Sequence, residues 1–304
     1  MRFDGLNLNL LGALDALIEL KSVTLAAQRM HVSQSAMSAA LAQLREYFND
    51  PLCVAIGRRL VLTAKAESLA APVHDILMRV RATVQSAQAF NPALVSREFK
   101  IMASDYVSSA VLSDAVREVA RLAPGVTFQL MSVDEHAQES LAKGDIDLLI
   151  VPAAFTAEQH PQAVLFEDDY ACIAWSGNRA VAEGLSIAQY AELGHVATRF
   201  GTSRTPSFED WYIRHHGYRR RIEVTADTFH LVPQLIIGTN RIATVPSRLA
   251  RRYAAFLPIA LFTPPFAIPP LVEVIQWHTC QDMDAGNIWL RQLLLAAGQV
   301  TPEA

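Results

Sequence analysis

The chain reads as an α/β protein in two parts, a winged helix-turn-helix head joined by a long helix to an α/β body. Three observations predict this. Near the N-terminus, helix-turn-helix spacing is followed by two short β-capable runs; an apolar repeat close to a heptad then covers about 63–89; beyond Pro92, strand and helix patterns alternate to the C-terminus.

In the head, Leu8, Leu11, Leu14, Leu17 and Ile18 form the stripe of a first helix. Thr24 is the expected cap of a short second helix through Ala26, Ala27 and Met30, and His31-Val32 make a tight connection. Ser33 then caps a third helix through Ala36, Met37, Ala40, Leu41, Leu44 and Phe48, which Asn49-Asp50-Pro51 stops. Leu52–Ile56 and Leu60–Leu62, joined by Gly57-Arg58-Arg59, predict a two-stranded wing. In the long helix, Leu69, Val73, Ile76, Val80 and Val84 step by three or four residues, so its expected partner is a second copy of itself, and Pro72 is expected to kink or loosen it.

The body begins after a linker at Phe90-Asn91-Pro92. Phe99–Ala103, Val126–Met131 and Ile146–Val151 read as strands, with helices over Val107–Leu122 and His136–Lys143 between them. This βαβαβ order implies a parallel sheet covered by helices. A second set starts near Leu165–Trp175 and continues through Ser186–Tyr190, His195–Thr198, Phe208–His215, Ile222–Thr225, Leu231–Ile237 and Ile242–Val245. Val272–Trp277 and Asn287–Ala297 supply a last strand and helix. The expected division is 1–62 for the head, 63–90 for the linker helix and 91–304 for the body.

Composition narrows the function. The net charge is −4, but residues 1–90 hold nine Lys/Arg against seven Asp/Glu, while the remainder carries −6. A mildly basic head on an acidic body permits nucleic-acid contact through the head alone. Cys53, Cys172 and Cys280 are isolated and odd in number, and no Cys/His cluster has zinc-like spacing, so no metal or other cofactor is expected. No apolar run reaches eighteen residues and Met1-Arg2-Phe3-Asp4-Gly5 does not open a signal peptide, which together predict a cytoplasmic protein without a membrane span. No nucleophile elbow, metalloprotease helix or phosphate-binding loop occurs, and the neighbours Asp168-Asp169 and His215-His216 diverge on a strand or helix, so an enzyme is not expected.

The head carries the sharper chemistry. Ala26 and Ala27 are small enough for the next helix to cross closely, and Ser33, Gln34, Ser35 and Ser38 give that helix a polar N-terminal face, with Ala36, Met37, Ala40 and Leu41 turned inward. Gln pairs bidentately with adenine, and Ser serves bases or phosphate. Thr24, at the start of the preceding helix, and Arg58 and Arg59, at the wing tip, complete the expected set of DNA contacts. A plain helical bundle with ordinary caps is the rival reading.

At these residues a resemblance becomes specific. Leu8-Asn9-Leu10-Leu11, Leu25-Ala26-Ala27, Val32-Ser33-Gln34-Ser35-Ala36-Met37-Ser38 and Leu62-Thr63 with Ala66 and Leu69 resemble the head of LysR-type transcription regulators. The opening eleven residues resemble the NodD-like branch, which includes regulators of aromatic catabolism, and so do Arg220–Val224 and Arg241–Pro246. Cys53 replaces a usual aromatic and Ala66 a frequent glycine; neither removes a base-reading group.

The resemblance implies a body like a periplasmic binding protein, with subdomains at 91–163 plus 268–304 and at 164–267 and an effector in the cleft between them. Ser104 and Asp105 fit independently: they follow a strand and open a helix, where a hydroxyl and free N–H groups suit a carboxylate or phenolate, although Ser104 serves equally as a plain N-cap. Phe200, Thr202, Ser203, Phe229 and His230 are further candidates because they correspond to cleft-facing segments of that fold; for the two phenylalanines alone, and for His195, ordinary packing is the favoured reading. The resemblance further implies an activator that binds an interrupted palindrome upstream of its target genes as a homodimer, assembles as a tetramer on DNA, and answers an aromatic or phenolic effector such as a flavonoid or chlorinated phenol. RNA polymerase is a candidate partner. An exported solute-binding protein would lack the head, and an architectural DNA-binding protein would need no cleft.

Overall fold

A computed structural model describes residues 2–3, 6–56, 59–86 and 90–299; for residues 2, 3, 6, 59, 81, 82 and 84–86 it describes the backbone alone. The chain forms two compact units, Met1–Gln88 and Ala89–Ala304.

The head opens with a small antiparallel pair, β1 (Arg2–Phe3) and β2 (Leu6–Asn7), that the sequence reading did not anticipate. Then come α1 (Leu8–Leu20), α2 (Val23–Arg29) and α3 (Gln34–Phe48). Their apolar stripes bury Leu11, Leu14, Leu17, Ala26, Ala27, Met37, Leu41 and Leu44 in one core. The cap of α2 is Ser22, whose hydroxyl accepts from the Leu25 N–H at 3.3 Å, and not Thr24, which lies exposed inside the first turn. Lys21 takes a left-handed conformation at the end of α1, which sets the start of α2 two residues early. Ser33 does cap α3, accepting from the Ala36 N–H at 3.1 Å.

The wing pairs β3 (Cys53–Ile56) with β4 (Arg59–Leu62). Asp50 fastens its base, accepting from the Leu52 N–H at 2.6 Å and the Thr63 hydroxyl at 2.7 Å; Thr63 in turn accepts from the Ala66 N–H. These bonds hold the Asp50 carboxyl below its usual range. The long helix α4 (Ala64–Ser86) continues through Pro72 and lies on the head, with Val73 buried in its core and Leu69 packed against it.

The body contains two sheets of one topology. The first has strand order β6-β5-β7-β15-β8, formed by β5 (Arg97–Met102), β6 (Val126–Met131), β7 (Leu148–Pro152), β8 (Gln162–Asp168) and β15 (Leu271–Gln276). The second runs β11-β10-β13-β9-β14, with β12 also on β10: β9 is Tyr170–Trp175, β10 Gly194–Phe200, β11 Thr205–Pro206, β12 Arg221–Ala226, β13 Ile242–Pro246 and β14 Ile259–Phe262. In each, three strands pair in parallel, and the strand joined to the other half, β15 or β9, pairs antiparallel with both of its neighbours. Covering helices include α5 (Asp105–Val107), which continues through a π turn over Ser108–Leu112 into α6 (Ser113–Leu122), then α7 (Ala137–Ala142), α8 (Ile187–Glu192), α9 (Phe208–His215), α10 (Val232–Ile236), α11 (Ser247–Ala254) and α12 (Ala285–Gln299).

One boundary moves. The segment 162–175 is two strands in two sheets, because β8 pairs with β15 up to Asp168 and β9 pairs with β13 and β14 from Tyr170 onward. The chain therefore crosses between subdomains at Asp168-Asp169 instead of after residue 163, and returns between β14 and β15.

Candidate nucleic-acid interface and ligand cleft

On α3 the helical period sorts the side chains. Met37, Leu41 and Leu44 point into the core, while Gln34, Ser35 and Ser38 are exposed together in the first two turns. Ala36, expected inward, is exposed and joins them with Ala39. Ser33 is occupied twice, as the cap and in a 2.9 Å hydrogen bond to the Ser35 hydroxyl, which makes it a positioning group for the helix start. The exposed face is small, uncharged and able to hydrogen-bond, a shape that enters a major groove. Arg58 lies outside the described residues, and so does the side chain of Arg59. On α4, Ile76 and Val80 are exposed, at 44% and 43%, whereas Leu69 and Val73 pack within their own head. The expected seam is thus divided by intrachain packing; the side chain of Val84 lies outside the described residues.

The body encloses a cavity of about 370 Å³ between its subdomains. The first sheet and its loops supply Ser104, Glu135, Gln138, Ile150, Phe155 and Glu273; the second contributes Tyr170, Phe200, Ser207, Phe208 and Phe229. The rings pack on one another: Phe200 and Phe229 meet edge-on with centroids 5.7 Å apart, and Tyr170 stacks on Phe208 at 6.3 Å. Such a cavity suits one ligand of a few rings.

Ser104, Phe200 and Phe229 lie in this wall as the sequence reading expected. The Ser104 hydroxyl also accepts the Val107 N–H at 3.2 Å, so its two roles coexist. Asp105 does not line the cavity. Its carboxylate accepts from the N–H groups of Phe229 at 3.1 Å and His230 at 2.8 Å, so the first turn of one subdomain is clamped to the other. Its negative charge is thereby met by backbone donors instead of being presented to the cavity. His230 accepts from or donates to the Tyr253 hydroxyl at 2.7 Å and is absent from the wall. Thr202 and Ser203 sit on the exposed turn after β10, where Gly201 has φ +66°. From there Ser203 donates to Glu135 at 3.1 Å across the cavity mouth.

A second tie spans the crossover. The buried Asp168 accepts from the Tyr106 hydroxyl at 2.6 Å, the Arg248 N–H at 2.9 Å and the Asp169 N–H at 3.0 Å. Burial and this carboxylate raise the Tyr106 phenol, which stays protonated.

The electrostatics of the wall differ from the anion site expected at Ser104. Among the described residues no Lys, Arg or His lines the cavity, while Asp134, Glu135 and Glu273 do. Burial pushes Glu273 up to about 8 and Glu209, just behind Ser207, up to about 7. Sequence reasoning missed Phe155, Tyr170, Phe208 and Glu273. A signal existed for the last, a carboxylate in the apolar run Leu271-Val272-Glu273-Val274-Ile275. His195 is fully buried, bonded to the Tyr190 carbonyl at 2.6 Å and lowered to about 4 by burial; it belongs to the core.

Among the described residues no group of three or more His, Cys, Asp or Glu is placed to hold a metal ion, and no helix is long and apolar enough to cross a membrane.

Comparison with known proteins adds three findings. Residues 8–67 match the family model of the bacterial regulatory helix-turn-helix protein, lysR family, and residues 92–298 match the LysR substrate binding domain. Nodulation protein D 1 of Rhizobium meliloti (strain 1021) is 43% identical over 307 residues, covering 100% of this chain and 99% of the relative. Nodulation protein D 2 of Rhizobium tropici is 42% identical over 306 residues, covering 100% and 97%. Among solved structures, a transcriptional regulator from Pseudomonas aeruginosa is 29% identical and superposes with a TM-score of 0.65 over 95% of this chain and 96% of that one. Full-length CbnR in complex with its target DNA, at 16% identity, shares the fold with a TM-score of 0.52 over 97% and 100%.

Proposed function

The chain belongs to the LysR family of DNA-binding transcription regulators with an effector-binding body, and from that premise we propose that its cleft senses an uncharged aromatic effector. The observation that carries this reading is the cavity wall: five aromatic rings, from Phe155, Tyr170, Phe200, Phe208 and Phe229, and no cation. Desolvating an anion there would go uncompensated, whereas ring stacking and a few hydrogen bonds favour a neutral polycyclic or phenolic molecule. The earlier expectation of an anionic oxygen is dropped on that ground.

In this reading residues 1–62 bind DNA, 63–90 pair two copies, and 91–304 bind the effector. Gln34, Ser35 and Ser38 read bases, assisted by Thr24, Ser33, Arg58 and Arg59 around them. Exposed Ile76 and Val80 meet their counterparts in a second α4. The effector shifts the population of body conformations through Asp105 and Asp168, which tie the subdomains together, and so alters the geometry of the paired heads on an interrupted palindrome. Ser104, Phe200 and Phe229 touch the ligand; Thr202, Ser203 and His230 act at the mouth and rear of the cleft.

The test is footprinting of the full-length protein on DNA upstream of genes it controls, with and without a panel of neutral and anionic aromatics. A footprint that lengthens or shifts with neutral members supports the reading; indifference to every aromatic retires it. Sedimentation of Val80→Asp should show loss of the dimer, and an unchanged dimer would move pairing away from α4.

A further inference from the structure

Glu273 has no place in the packing just described. It sits on β15, in register with Phe166 of β8 and Pro152 of β7, in a run of otherwise apolar residues. Its side chain is 3% exposed, lines the aromatic cavity, and leaves Oε2 without a hydrogen-bond partner. An unpaired buried carboxylate costs several kcal/mol, and so does a buried acid with nothing to bond. A protein retains such a group where something else completes it.

The groups around it settle which form it takes. The Tyr106 hydroxyl, committed to Asp168, and the Tyr170 phenol lie near it on the crossover side, and both are raised by burial and by neighbouring acids, Glu273 among them. Glu209 lies behind Ser207, while Asp134 and Glu135 line the cavity from the loop after β6. Every titratable neighbour inside the cavity is an acid or a phenol. Arg248 stacks over the Phe166 ring at 4.6 Å, and among the described residues no ion pair reaches Glu273. Electrostatics therefore favour the neutral acid, which carries one O–H to give.

We propose that Glu273 is a specificity-determining residue that stays protonated and donates a hydrogen bond to a neutral acceptor oxygen, such as a ketone, on the aromatic effector. The proposal rests on the aromatic-cleft reading above and adds the polar half of recognition to it. Its consequence is discrimination against carboxylates, which would set a second negative charge against an acid that has no cation to share. The same logic keeps a carboxylic acid neutral in other apolar sites where it must donate.

Three probes of one size separate the possibilities: 2-acetonaphthone carries a ketone, 2-naphthoate a carboxylate, and 2-ethylnaphthalene no acceptor. Binding to the full-length protein is followed by calorimetry or by fluorescence of Trp211, whose ring is 6.1 Å from the cavity residue Phe155. The ketone is expected to bind at least tenfold more tightly than either of the others at pH 6.5, and to weaken at least tenfold by pH 9.5 as Glu273 ionises. Glu273→Gln, which keeps the shape and an N–H donor, should bind the ketone at both pH values with little change. Glu273→Leu, checked for an intact thermal transition, should bind ketone and hydrocarbon alike. If the Gln variant retains the pH dependence, Glu209 or another acid is responsible and the proposal fails. It fails also if naphthoate or ethylnaphthalene binds as well as the ketone, or if Glu273→Leu leaves ketone affinity unchanged, while the aromatic cleft stands. If none of the three probes binds, the aromatic cleft itself is overturned and Glu273 with it.

Discussion

The two functional regions are built on opposite plans. The recognition surface proposed for the head lies on one helix, with Gln34, Ser35 and Ser38 within five residues and a buried apolar core beneath them. The cavity of the body gathers its wall from Ser104 to Glu273, from two sheets whose parallel cores are alike but whose inner surfaces differ. The polar groups of the head are satisfied locally, by the Ser22 and Ser33 caps and by Asp50 at the wing base. Around the cavity, in contrast, Glu209 and Glu273 each keep a buried oxygen without a partner. The named polar groups of the head are thus closed on local partners, whereas the body holds unfulfilled bonding capacity beside its cavity.

That contrast can be broken at its strongest point first. Asp168→Ala removes the acceptor of three hydrogen bonds at the crossover, from Tyr106, Asp169 and Arg248. Leaving buried donors unmet should cost about 3–5 kcal/mol in the unfolding of the body, measured by urea titration. Binding of the head to DNA fragments should survive, and a common loss in both units would erase the distinction.

Next in size is Gln34→Ala, which should weaken cognate DNA by about 1–3 kcal/mol and leave random DNA nearly unaffected, as read by fluorescence anisotropy. Equal losses on both DNAs would mean that the face positions and does not read.

A third effect accumulates with pH. Folded Glu273 holds its proton to about 8, whereas the unfolded chain releases it near the ordinary glutamate value of 4.5. Within that window the native state binds more protons than the unfolded state, so this group lowers stability as pH rises, by about 1.4 kcal/mol per pH unit at most. Glu273→Gln removes the term, and denaturation at pH 5, 6.5 and 8 should show the variant gaining steadily on the parent. A constant difference would mean that Glu273 ionises near its ordinary range.

The smallest change concerns a cap. Ser22→Ala should cost about 1 kcal/mol, because α2 loses the acceptor for the Leu25 N–H, while Thr24→Ala should alter thermal stability by only a few tenths of that. Reversal of that order would restore Thr24 as the helix start.

The same contrast explains what could be read from the chain. The head follows local rules: a serine before an apolar stripe, a stop at Asn49-Asp50-Pro51, two short runs around a glycine. Its misplaced cap, Thr24 for Ser22, came from two residues equally fit to cap, decided by the left-handed Lys21 between helices. The body was legible as far as β7. It then blurred at 162–175, where no glycine or proline marks the passage from β8 to β9 and only pairing to distant β13, β14 and β15 divides them. In the cleft, Ser104 announced itself at a strand-to-helix junction, but Phe155, Tyr170 and Phe208 look like any core aromatic until the sheets come together. Asp105 was found by position and misjudged in role, since its partners Phe229 and His230 lie more than 120 residues away.

The π turn over Ser108–Leu112 gives the helix that opens the body one residue more than a regular α-helix of the same rise would contain. Each residue of an α-helix turns the chain by about 100°. Deleting one residue within 108–112 would let the segment relax to regular winding with the flanking side chains still in phase, but deleting one from the regular turn at 113–116 would swing every side chain before it around the axis by about 100° relative to those after it. Ser104, Asp105 and Tyr106 would leave the cavity wall, the interdomain clamp and the crossover carboxylate together, while α6 kept its own seat on the sheet. An insertion elsewhere in the helix would do the same in the opposite sense. The helix thus acts as a phase marker: its length in residues, more than their identity, fixes whether the two halves of the body can engage one another.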